Sequence, residues 1–306
     1  MRIRVIFLAA LLLATSAAFA WHGPGHERVA REAVAALPAS MPAFFRAGGD
    51  IVAHCALDPD NFCKPIATSQ LSDTERPEHY FDVENVPDLD HLPASRYKFL
   101  QSVFEHKLTP AQVGMLPYAI SEWTERLTIA FAEYRRWPDD PAIQAKTLVF
   151  AGLLSHYSAD LCQPLHTTIH YDGRVVVGES RVRGIHLKMD AGLGKLGPWV
   201  SRHSSQAAPF DDVLGATVAE IKRSHALVDR VYELEGELPA YEAPLDQHSK
   251  VAEFLRERLK AATVFTASLY LTAWRNSANV TLPAWHHRPA ITPDKMPLSQ
   301  PAGAMP

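Results

Sequence analysis

The chain has 306 residues, 47% of them hydrophobic and 21% charged, a length and balance that suit a globular protein of one large domain or two small ones with a sizeable core. A formal net charge of -4 argues against capture of nucleic acid by a broad basic surface. It leaves open hydrolysis of a phosphodiester, because bound divalent cations can supply positive charge locally.

Residues 1–20 read as a signal peptide. Arg2 and Arg4 form a basic head, Val5 to Leu13 an apolar run too short for a membrane span, and Ala18-Phe19-Ala20 a small-x-small cleavage site. The expectation is an exported protein, periplasmic or extracellular, with no transmembrane segment. Three cysteines in an exported chain leave one over; Cys55 and Cys63 are the natural pair to staple a short loop, and Cys162 reads as a buried thiol. Cleavage after Ala20 exposes Trp21, whose free amine and carbonyl oxygen form a five-membered chelate, with His26 close enough in sequence to join it. Val29, Ala30, Ala33, Val34 and Leu37 then give an amphipathic helix from Pro24 to Leu37.

A short helix after Asp50 runs into Asp58-Pro59-Asp60-Asn61, a turn former in which both aspartates also have capping as a role. His79-Tyr80-Phe81-Asp82 follows a polar loop. From Arg96 onward the pattern is helical: Tyr97 to His106, Pro110 to Trp137, Pro141 to Gln163, roughly Phe210 to Glu235, and Val251 to Asn279. Tyr171 to Arg183, with Asp172-Gly173 as its turn, is the only weak hairpin candidate. The division predicted is a signal peptide (1–20), a helical domain (21–282) and a Pro-rich tail (283–306), ordered at first as a strap. No internal repeat, P-loop or dinucleotide fingerprint is present.

The organising stretch is Ser155 to His166. His156 and Asp160 are four apart, so on a helix an imidazole and a carboxylate share one face and reach one cation. Pro164 ends that helix and turns His166 off its end. His186 and Asp190 repeat the spacing. One such pair alone is more often a surface ion pair or a cap. In order, the candidate ligands are Trp21, His26, an Asp at 58 or 60, His79, His156, Asp160, His166, His186 and Asp190, all nitrogen or oxygen donors and enough for three zinc ions.

This pattern resembles the superfamily that joins zinc-dependent bacterial phospholipases C to the fungal single-strand-specific nucleases. The resemblance is carried by motif islands across most of the mature chain: Trp21 with His26 in the close spacing of the nuclease branch, His79-Tyr80-Phe81-Asp82, His156-x-x-x-Asp160-x-x-Gln163-Pro164-x-His166, and His186-x-x-x-Asp190, with Asp where the phospholipases have Glu. Asp60 matches the early Asp, with Asp58 as the alternative. The resemblance implies an all-α fold, a single mainly helical domain with a trinuclear zinc cleft near the mature N-terminus. It further implies a first zinc on Asp60, His79, His156 and Asp160, a second on Trp21, His26 and Asp160, and a third on His166, His186 and Asp190. Asp160 would then be the catalytic bridge between two ions that hold a nucleophilic hydroxide. Tyr80 and Asp82 would touch substrate.

The chain departs from the nuclease branch in two loops. Thr167 to Gly173 stands where the nucleases carry Gly-Gly-Asn, and Gly184-Ile185 where they carry Asn-Leu. The leading expectation is an endonuclease on single-stranded DNA or RNA; the alternatives are a phospholipase C acting on phospholipid and a non-catalytic zinc-binding protein. No protein partner is implied.

Overall fold

A computed structural model describes residues 23–64, 68–176, 183–198 and 206–287. The helices are α1 (Gly23–Ala35), α2 (Ala43–Ala47), α3 (Gly49–Cys55), α4 (Asp58–Cys63), α5 (Ser69–Glu75), α6 (Arg96–Glu105), α7 (Pro110–Val113), α8 (Leu116–Arg136), α9 (Pro141–Leu161), α10 (Ile185–Gly194), α11 (Val213–His225), α12 (Val228–Glu233) and α13 (Lys250–Ser277). Short 3-10 turns lie at Arg76–His79, Val83–Asn85, Pro164–Thr167 and Glu235–Glu237. The fold is thus all-α, a single mainly helical domain. Among the described residues, strand-like pairing is limited to isolated bridges, Phe81 with Gly114 and Tyr171 with Gly173, so the described part of the 171–183 segment forms no hairpin. None of the described helices is long and apolar enough to cross a membrane.

The core is built on α9. The Asp140 side chain caps its start, accepting from the backbone N–H of Ala142 at 2.9 Å and of Ile143 at 3.4 Å, with Pro141 at the first position where no donor is needed. Every residue from Ala151 to Leu161 is buried, which is how a helix at the centre of a bundle reads: it is enclosed on all sides, and its polar side chains, His156 and Asp160 among them, are buried with the apolar ones. Around it pack α8, α13, α3 and α1. Gly152 sets how near α3 can come, since a Cβ there would lie 2.5 Å from the Cys55 Cβ and 2.7 Å from the Val52 carbonyl oxygen.

Two predicted helices are each broken in two. Pro110 to Trp137 divides at Gly114, whose φ of +87° and whose approach to the Tyr80 carbonyl leave no room for a side chain. The 210–235 stretch divides between His225 and Val228. In the other direction, the acidic turn at Asp58 is helical (α4), with Pro59 in its first turn. The strap after α13 is held at His286, whose Nε2 lies 2.8 Å from Glu133 Oε1; residues 288–306 lie outside the described residues.

The disulfide expectation is overturned. Cys55, Cys63 and Cys162 are all free thiols. Cys55 faces the α9 contact at Gly152, while Cys63 turns toward His79, with 3.0 Å between Sγ and Nε2. Cys162 is fully buried.

Candidate metal centre

Eight of the nine candidate ligands fall within the described residues, and the fold brings all eight to one place. His26 comes from α1, Asp60 from α4, His79 from the turn after α5, His156 and Asp160 from α9, His166 from the turn after α9, and His186 and Asp190 from α10. None is more than 8% exposed. Trp21 lies outside the described residues.

Three groups have ligand atoms within 4.8 Å of one another: His26 with His156 and Asp160; Asp60 with His79 and His156; and His166 with His186 and Asp190. Asp160 ties the first two together. Its Oδ1 lies 3.4 Å from His26 Nε2, while its Oδ2 lies 3.0 Å from His79 Nδ1 and 3.3 Å from His156 Nε2. The third group is next to them, with His166 Nδ1 3.9 Å from Asp160 Oδ1. Between the two aspartates of α4, Asp60 is the one that is buried and within reach; Asp58 is only half-buried.

Local structure holds several of the donors in place. The outer nitrogen of His156 is held by the Ala56 carbonyl at 2.7 Å, and that of His166 by the His79 carbonyl at 2.6 Å. Gln163 Nε2 donates to Asp190 Oδ1 at 2.7 Å, and Asp172 Oδ1 accepts from the backbone N–H of Gly184 and His186 at the start of α10. Asp172 and Cys63, which touch the backbone of His186 and the ring of His79, do not stand out in the sequence as neighbours of these donors. Each meets its partner only across a loop, and no local spacing signals that.

Burial disfavours the charged form of most of these groups. Burial pushes the carboxyls of Asp60 and Asp160 above the usual range and the imidazoles of His79 and His156 below theirs. His166 is pushed down to about 4, again chiefly by burial. For His186 burial also opposes the charge, but Asp190, with 3.0 Å between His186 Nε2 and its Oδ2, carries the balance upward.

A zinc ion fits these donors. Two ligand nitrogens each about 2.0–2.1 Å from a tetrahedral zinc lie roughly 3.3 Å apart. His166 and His186 present their Nε2 atoms to each other at 3.1 Å, and His79 Nδ1 and His156 Nε2 are 2.9 Å apart. Asp160 Oδ1 is fully buried and accepts no hydrogen bond, which is costly for a carboxylate oxygen unless a cation faces it. A divalent ion would favour ionised carboxylates and neutral imidazoles together.

Of the two aromatics beside His79, Phe81 is core: it is fully buried and its ring centroid lies 5.7 Å from that of Phe99. Tyr80 is half-buried, and its hydroxyl donates to the Ala111 carbonyl at 2.7 Å. Asp82 is buried, its backbone N–H bonded to the Val113 carbonyl. No model of a known protein family matches this chain, and no curated protein matches it.

Proposed function

We propose that the protein is an exported zinc-dependent phosphodiesterase of the phospholipase C and single-strand nuclease superfamily, acting as an endonuclease on single-stranded DNA or RNA. The observation that carries this reading is the Asp160 carboxylate, whose two oxygens face different imidazoles, His26 on one side and His79 with His156 on the other. A carboxylate so placed suits two cations held close together, and the His166, His186 and Asp190 group beside it suits a third. When bound, zinc supplies Lewis-acid chemistry, stabilising negative charge on phosphodiester oxygens and lowering the pKa of water.

The chain's own residues do the rest. Asp160 fixes the separation of the two paired positions. The backbone carbonyls of Ala56 and His79 set the tautomers of His156 and His166, so that the remaining nitrogen of each is free to act as a ligand. Gln163 orients Asp190, and burial of the whole set keeps bulk water from competing for it. Tyr80, with its hydroxyl tethered, offers a ring for a base to stack on.

A specific observation favours a second reading, the phospholipase C. On α6, Tyr97 is 81% and Phe104 58% exposed with Leu100 between them, an apolar stripe of the kind that meets a lipid surface. One experiment separates the readings: zinc content of the processed protein, with turnover on single-stranded DNA, RNA and phosphatidylcholine vesicles. About three zinc per chain with nucleolytic products ending in 5'-phosphate is the expected result. Lipid turnover alone would move the enzyme to the phospholipase branch. Bound zinc with no turnover on any of them would leave a non-catalytic zinc protein.

A further inference from the structure

Behind the metal centre, the histidines are held from outside in two different ways. His156 and His166 each rest an outer nitrogen on a backbone carbonyl, at 2.7 and 2.6 Å. His79 does not follow them. Its Nδ1 faces the centre, 3.0 Å from Asp160 Oδ2 and 2.9 Å from His156 Nε2, and its Nε2 on the far side lies 3.0 Å from the sulfur of Cys63. Cys63 ends α4, three residues after Asp60, so one short helix carries both a candidate ligand and the group behind another ligand. The thiol belongs to none of the three ligand groups, and it touches the nitrogen turned away from them.

A histidine that ligates through Nδ1 must carry its proton on Nε2, and that proton needs an acceptor. We propose that Cys63 is a positioning residue for His79: its sulfur accepts the Nε2–H and so leaves Nδ1 as the nitrogen presented to a cation. This rests on the reading of the site as a metal centre. Among the side chains near that nitrogen, the sulfur is the one within hydrogen-bond distance. Glu75 Oε1 stands 4.0 Å away and is engaged by the Tyr157 hydroxyl. The Pro59 carbonyl also hydrogen-bonds His79 and is the competing acceptor. The sulfur has no disulfide to hold it elsewhere, so the accepting lone pair is available.

It follows that one of the three sites depends on a side chain that chemistry can change, whereas the backbone acceptors behind His156 and His166 are fixed. The test compares wild type, Cys63→Ala and Cys63→Ser, each checked for native helix content by circular dichroism. Nitrogen-15 spectra of the histidine rings in metal-free protein, with His79 assigned by its loss in His79→Asn, report its tautomer. Zinc titration reports affinity site by site. Expected are an Nε2–H tautomer in wild type that becomes mixed in Cys63→Ala, a loss of roughly 10- to 100-fold in affinity at one site only, and recovery of most of both in Cys63→Ser. An unchanged tautomer in Cys63→Ala would overturn the proposal in favour of the Pro59 carbonyl, and equal weakening of all three sites would reduce Cys63 to a packing role. If wild type binds no zinc yet the tautomer still shifts in Cys63→Ala, the metal reading falls and the positioning role stands.

Discussion

Around Asp160 the candidate ligands arrive from α1, α4, the turn after α5, and α9, whereas His166, His186 and Asp190 come from one turn and one helix close together in the chain. The first arrangement depends on how separate helices pack. The second is largely local, with Gln163 and Asp172 holding it from the same stretch of chain. The difference teaches that the paired positions should be fragile to changes in packing and the lone one should survive them.

The largest expected effect breaks the paired positions outright. Asp160→Asn should remove two of the three zinc ions and lower turnover by more than about 10²-fold, while Asp190→Asn should remove one; metal analysis of both variants checks this. Equal loss from the two would mean that Asp160 does not bridge. A gentler disturbance is Gly152→Ala, which pushes α9 away from Cys55 and Val52 at a cost of about 1–3 kcal/mol. Zinc should weaken at the Asp160 positions and hold at the third, as read by titration. Uniform weakening would erase the contrast drawn above.

Acid sharpens the comparison inside the third group. His166 is pushed down to about 4 from an ordinary 6.5, so between those values the unfolded chain binds a proton there that the folded protein refuses. Its contribution to metal-free stability is therefore present above pH 6.5 and lost as pH falls toward 4. His186, raised by Asp190 against the pull of burial, acts in the opposite sense: its contribution is present below its ordinary range and lost as pH rises through its folded value. Asp60 and Asp160, pushed up by burial, also favour the folded state at lower pH. Denaturant unfolding of metal-free wild type and His166→Gln across this range should show a shallower acid loss in the variant. The smallest effect is expected from Tyr80→Ala, which should raise KM on single-stranded substrate by an amount equivalent to about 1–3 kcal/mol if one base stacks on the ring, and leave zinc content unchanged.

Helical spacing made much of this site legible. His156 with Asp160 and His186 with Asp190 stand one turn apart because four residues nearly complete a helical turn, and Pro164 does end the helix so that His166 sits in a separate turn. The helix breaks were less legible: Gly114 lies inside a pattern that reads as continuous, and only its positive φ against the Tyr80 carbonyl shows that the chain must turn there.

By itself, the sequence determined the mainly helical character, the two His-x-x-x-Asp pairs and the run of nitrogen and oxygen donors, because periodicity and spacing are local properties of a helix. Only the tertiary structure decided that Asp60 rather than Asp58 faces the centre, that Asp160 divides its oxygens between two groups, and that Cys63 lies against His79 instead of joining Cys55. Each of these depends on which helices lie against one another, and residues distant in the chain carry no spacing that records it.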